Sequence, residues 1–299
     1  MQYSVSQPAI GVAVPRQRPS LRLDWLARLA HNRSSIAGAA ILLPIVFFAF
    51  AAPYLPIADP IKPNILASMQ APSLDHPFGT DKLGREILSR TITGLRVSLT
   101  VGFAAAGISL AIGVVVGTLA GFMGKTVDTI VSAIVDVFLA FPSLLLAISV
   151  IAVFGPGMPQ VIAALSVAGA PGAIRLQRAL TLSLKSRTYM DAARMASAPG
   201  WWMLVRHVIP NTVAPMIVFA SIHAANAILA EAGLSYLGLG ILPPQPSLGN
   251  LVSDGRPYLQ NAWWISTIPG IAIAVVSVSL HLLSDGIREE LDPRSRGNA

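Results

Sequence analysis

The chain has 299 residues, of which 54% are hydrophobic and 12% charged, and its net charge is +7. About a quarter of the residues of a soluble domain are charged, so this shortfall, with a mean hydropathy of +0.64, excludes an ordinary soluble domain and points to a polytopic membrane protein. There is no cysteine, which excludes disulfide frameworks, thiolate metal sites and cysteine nucleophiles; in such a chain the positive charge sets topology rather than marking a nucleic-acid partner.

Residues 1–35 form a basic tail with one amphipathic segment, LRLDWLARLA, suited to a membrane surface. A spanning helix needs about 20 mostly apolar residues. Six segments qualify, at 36–57, 97–122, 128–154, 158–182, 212–232 and 263–284. Five contain a proline: Pro44, Pro142, Pro171, Pro215 and Pro269. Membrane helices tolerate proline where neighbours satisfy the freed backbone groups. The first span follows 35 residues and ends in a weak cleavage pattern, so it reads as an anchor.

The extracytoplasmic segment 58–96 opens with proline-rich chain. Asp81 is placed to cap an interfacial helix through Leu83, Ile87, Leu88 and Ile92, with Glu86 and Arg90 forming an i,i+4 pair. The second span reads SLAIGVVVGTLAG. Ser109, Gly113, Gly117 and Gly121 fall four apart, a small-residue stripe for either internal packing or a subunit contact.

Lysine and arginine orient the spans. With the N-terminus inside, fifteen of the 21 fall on the inner side and six outside: Lys62, Lys82, Arg85, Arg90, Arg96 and Arg256. Both termini are therefore expected in the cytoplasm, and residues 287–299 are a cytoplasmic tail. The loop 183–211 is cytoplasmic too. It keeps helical character to Met195, breaks at Pro199-Gly200 and resumes as WWMLVRHVI, with Trp201 and Trp202 at the interface. Pro210-Asn211 is read as its stop. Ala192, Ala193, Ala196 and Ala198 would let another protein approach closely, so this hairpin is a docking surface rather than a plain connector.

Asp191-Ala192-Ala193, then Ser197 and Ile209-Pro210, resembles the EAA loop of ABC importer permeases, with Asp in place of Glu and Ser in place of Gly. Serine lacks the freedom of glycine at positive φ. HPFGTDKLGREILSR, LAFPSLLLAI, LSYLGLGILPPQPSLGNLVSDGR and LLSDGIREELDPR resemble the C-type permease of dipeptide and oligopeptide importers, over roughly residues 76–293. The resemblance implies an all-α fold of six transmembrane helices. Residues 97–286 would be a type 1 ABC transmembrane core of five helices, in a bacterial inner membrane. It implies a homologous second permease, two cytoplasmic ATPases that bind ATP and Mg, and an extracytoplasmic peptide-binding protein. The coupling residues carried over are Asp191, Ala192, Ala193, Ser197, Ala198 and Pro210. This chain itself would bind no cofactor or metal and perform no catalysis. Related permeases serve glutathione and nickel chelates as well as peptides.

Gly124-Lys125-Thr126 looks like the end of a phosphate loop, but the required earlier glycine is Leu119. ATP must then be hydrolysed elsewhere. Asp136 lies in the third span, where an acid is a functional hypothesis by default. Arg175 and Arg178 lie at about its level, and a structural ion pair is the favoured reading; breaking a buried one costs about 3–5 kcal/mol. Ser221, His223 and Asn226 could line a translocation pathway or make helix-packing hydrogen bonds. Glu231 is expected near the outer end of its span. The histidines lack metal-ligand spacing, and no paired carboxylates or Ser/His/Asp order suggest hydrolysis. The rival reading, an ion-coupled secondary transporter, would need an intramembrane ion site, for which Asp136 is the one deep acid.

Overall fold

The computed structural model describes residues 32–291. The amphipathic segment 21–30 and the end of the C-terminal tail lie outside the described residues. Apart from one isolated antiparallel bridge, Thr80 with Glu86, the described residues form helices and loops only.

Helix α1 is Arg33–Ala51. Its cap is Asn32, whose Oδ1 accepts from Ser35 N at 3.1 Å, while Asn32 Nδ2 donates to Glu289 Oε2 at 2.8 Å. The segment to residue 86 is a loop with two short 3-10 turns. Helix α2 then runs unbroken over Ile87–Met123. No separate interfacial helix exists among the described residues of this segment. Asp81 does not cap α2: its Oδ1 accepts from Leu83 N at 2.8 Å and Arg85 N at 3.0 Å, which folds a tight turn just before the helix. Glu86 pairs with His76, not Arg90. Arg90 instead lies buried 3.6 Å from Asp81 and donates to the Pro60 carbonyl at 3.1 Å. The expected i,i+4 pair loses because the loop folds back over α2 and offers Arg90 closer partners.

Helices α3 (Lys125–Leu139) and α4 (Ser143–Phe154) meet at Pro142 with a bend of 89°. Residues 128–154 are therefore not one straight span. Pro142 withholds a backbone donor and keeps its predecessor out of the helical region, which breaks the apolar run there. Helix α5 is Met158–Lys185, α6 is Thr188–Met195, α7 is Gly200–Tyr236, α8 is Leu248–Gly255 and α9 is Trp264–Leu291. Four of these helices, α1, α2, α7 and α9, are long and apolar enough to cross a membrane, five spans in all if the bent pair counts as one. Helix α5 has 28 residues but is not among them, because Gln160, Ser166, Pro171 and Arg175 dilute its apolar run.

Pro210 does not stop a helix. Leu204–Val208 forms a π-helical turn, with the Ile209 N–H reaching the Leu204 carbonyl, and the chain continues as helix through Pro210 and Pro215. The wider turn places the bonding shift just before the residue that lacks an N–H.

The small-residue stripe packs inside the molecule. A Cβ on Gly117 would lie 2.6 Å from the Ile174 carbonyl oxygen, and one on Gly121 would lie 2.8 Å from Thr181 Cβ. Helices α2 and α5 thus touch backbone to backbone. Beside this seam Gln177, fully buried, donates from Nε2 to Thr118 at 2.7 Å and Thr212 at 3.1 Å, tying α2, α5 and α7 together. The Pro/Gly-rich loop after α7 hides helix α8. Its capping box joins Ser247 and Asn250, and Leu248 and Leu251 bury among α2, α7 and α9. The loop is thus anchored to the bundle.

Candidate functional site

Three features gather chemistry: a helical hairpin at one end of the bundle, a cavity between helices, and ion pairs joining α3 to α5.

The hairpin is α6 and the first turns of α7. Its interior is Met190, Met203 and Val208, with Phe122, Leu184, Ala193, Ala198 and Leu204 against them. Burying each of the three larger side chains contributes roughly 1.5–3 kcal/mol, which holds α6 to the bundle. Ala193 and Ala198 therefore face their own chain. The exposed face of α6 carries Ala192 and Met195, the latter 88% exposed, with Asp191 paired to Arg194 at 2.6 Å. Ala193 and Ser197 do not share a helix face, because α6 ends at Met195 and Ser197 has φ 56. Four-residue spacing implies a shared face; the left-handed turn at Ser197 removes it. Arg194 Nη2 donates to the Lys185 carbonyl at 3.0 Å, and Lys185 Nζ donates to the Phe122 carbonyl at 2.7 Å. Tyr189 and Trp202 flank His207 at ring distances of 5.8 and 4.9 Å. Trp201 is exposed beside them.

Ser197 occupies a left-handed conformation that a Cβ disfavours by about 1–2 kcal/mol. Ser197→Gly is expected to leave the hairpin as stable or more so, and Ser197→Val, whose β-branch tolerates a positive φ less well than serine, to destabilise it. Limited proteolysis of the hairpin reads this directly. Faster cleavage of the glycine variant than of the parent would contradict it.

A cavity of about 260 Å³ lies between the α3–α4 bend, α5 and α7. Its lining includes Ser143, Gly169, Phe219, His223 and Asn226. His223 stacks on Phe219 and lies 3.2 Å from Ser109 Oγ. Ser221 is not in this lining; its hydroxyl donates to the Val218 carbonyl at 2.9 Å, back into its own helix. Glu231 is 0% exposed. It accepts from Ser98 Oγ at 2.6 Å and Ser235 Oγ at 2.7 Å, which ties α2 to α7.

Asp136 pairs with Arg175, in line with the expected ion pair, but the two side chains are 63% and 57% exposed in this chain. Such a pair contributes no more than about 1 kcal/mol, not the cost of a buried one. Arg178 does not join them. It makes a two-pronged pair with Asp128, with Nη2 donating to Oδ2 at 2.7 Å. Sequence reasoning misses Asp128. Its one signal is an acid in the first turn of a helix, fifty positions from its partner.

The bundle is similar in fold to a chain of a solved ABC transporter. A chain of the MetNI methionine ABC transporter, in an inward-facing conformation, superposes with a TM-score of 0.56 at 18% identity, covering 69% of this chain and 98% of that one. The chain belongs to the family of binding-protein-dependent transport system inner membrane components, whose model matches residues 113–297. A di/tripeptide transport system permease protein of Pseudomonas aeruginosa is 37% identical, covering 94% of this chain and 95% of the relative. A putative peptide transport system permease protein of Brucella abortus is 40% identical over 89% of this chain and 90% of its own. A glutathione transport system permease protein of Pectobacterium atrosepticum is 36% identical, covering 92% of this chain and 93% of the relative.

Proposed function

We infer that this chain is the permease subunit of an ATP-driven, binding-protein-dependent importer of short peptides. The observation that carries the coupling role is the α6 hairpin. It is a short helix, braced from within by Met190, Met203 and Val208, that leaves Ala192 and Met195 bare. A self-supporting hairpin with a small exposed face suits the cleft of a second protein. We assign that protein as an ATPase subunit, one of two, which binds ATP and Mg. A homologous permease completes the pathway, and an extracytoplasmic binding protein delivers the peptide.

In this reading six helices, α5 included, cross a bacterial inner membrane with both termini in the cytoplasm. The bias of lysine and arginine supports the orientation. Neighbouring helices can accept the polar residues of α5, since its seam with α2 is backbone-close. Closure of the ATPases moves α6, and the bundle alternates between outward-open and inward-open forms. His223 and Asn226 are the pathway residues, through the cavity they line. Asp191 and Arg194 fix the register of α6, and Ser197, Ala198 and Pro210 shape its support. The glutathione relative makes glutathione the second cargo to test.

The chain has no native cysteine, so single probes are clean. Ala192→Cys and Met195→Cys are expected to cross-link to a cysteine in the ATPase cleft, with a yield that depends on ATP. Ala193→Cys, packed against Met203 and its neighbours, is expected to cross-link weakly. Labelling of Met195→Cys by an impermeant thiol reagent from outside sealed cells would overturn the topology. Peptide uptake by the assembled complex in liposomes should require ATP on the ATPase side; uptake driven by an ion gradient alone would instead establish the secondary-transporter reading.

A further inference from the structure

Helix α3 is joined to the bundle unlike the other long helices. Of its fifteen residues only Val135 is buried. It is bounded by a break at each end. At one end Gly124 has φ 91, a left-handed conformation that favours glycine, and a Cβ there would meet nothing within 4 Å. At the other end lies the 89° bend at Ala140–Pro142. Between α3 and α5 there is unfilled space of about 280 Å³, whose lining includes Ser132, Val135, Asp136, Ile174, Arg175 and Arg178. The Ser132 hydroxyl there is buried without a partner.

Close packing normally fixes one helix against another. Here apolar packing is thin and two ion pairs span the gap, Arg178 with Asp128 and Arg175 with Asp136. The first is the stronger. It is two-pronged, and its side chains are 30% and 22% exposed, against more than half for the second pair.

The pair is also wired to the hairpin. Lys185, at the end of α5, receives a hydrogen bond from Arg194 of α6 on its carbonyl. Its ammonium holds the Phe122 carbonyl, just before Gly124. A shift of α6 therefore pulls on both the end of α5 and the stretch of chain that enters α3.

We propose that α3 is a hinged arm, latched to α5 by Asp128 and Arg178, and that displacement of α6 opens and closes this latch through Arg194 and Lys185. The arm carries Leu139 and leads through Pro142 to Ser143 and Leu144, all three of which line the cavity of His223 and Asn226. Movement of the arm thus changes the width of that cavity. Asp128 and Arg178 are positioning residues and touch no cargo. The proposal rests on the importer reading, since it takes the ATPase as what moves α6.

A static brace and a latch differ in one measurable way. Asp128→Cys with Arg178→Cys, in the otherwise cysteine-free chain, is assembled with its partners in liposomes. A short bis-methanethiosulfonate reagent then joins the two positions. The latch predicts a cross-linking yield that differs at least three-fold between the nucleotide-free complex and the complex trapped with ATP and vanadate. Equal yields in the two states overturn it. The latch also predicts that the cross-linked complex loses at least nine-tenths of its peptide uptake while hydrolysing ATP, and that reductant restores uptake. Unchanged uptake after complete cross-linking overturns the latch and leaves the importer reading standing. An unmodified parent complex with no ATP-dependent uptake removes both.

Discussion

Glu231→Ala is expected to destabilise the protein by about 3 kcal/mol. The carboxylate has no exposure, and both its oxygens accept short bonds, from Ser98 on α2 and Ser235 on α7. Ser235 Oγ in turn accepts from Ile241 N at 3.1 Å, at the start of the loop into α8. Truncation leaves two buried hydroxyls without their acceptor and opens a void, and each orphaned group costs roughly 1–3 kcal/mol. Glu231→Gln keeps the shape and can accept from one serine while donating to the other, so it should lose less than half as much. The measurement is the midpoint of thermal aggregation of the purified protein in detergent. A glutamine variant that folds as well as the parent, yet abolishes uptake, would move Glu231 from the packing of α2 and α7 into transport.

Gly117→Leu is expected to prevent stable folding, with a loss of about 3 kcal/mol or more. The position faces the Ile174 carbonyl and the Gln177 side chain, at 2.6 and 2.8 Å from an ideal Cβ, and backbone cannot yield as a flexible side chain can. Separating α2 from α5 would also strain the Gln177 bonds to Thr118 and Thr212. Gly107 is the control on the same helix. A Cβ there meets nothing within 4 Å, so Gly107→Ala should be neutral or mildly stabilising through helix propensity. The yield of monodisperse protein on size-exclusion chromatography separates the two outcomes. If Gly117→Leu is as well behaved as Gly107→Ala, the seam is looser than its geometry states.

Much of the hairpin is legible in the sequence. The alanines, the break at Pro199-Gly200 and the Asp191–Pro210 pattern locate it. What spacing does not give is which alanine faces out. An i,i+4 rule assumes that the helix continues, and α6 ends two residues before Ser197. The same limit explains Pro210. A proline is a breaker by local propensity, but a π-helical turn just before it absorbs the missing donor and the helix continues.

By itself the sequence determined the apolar segments, the small-residue stripe, the family and the position of the α6 hairpin. These depend on composition and on intervals of a few residues, which are local quantities. The tertiary structure alone decided that the stripe meets α5, that Arg90 turns to Asp81 and Pro60, that Glu86 meets His76, and that Arg178 meets Asp128 rather than Asp136. Arginine pairs with whatever carboxylate the crossing of two helices brings within reach. That crossing is set by close packing over many residues at once, and no interval along the chain encodes it.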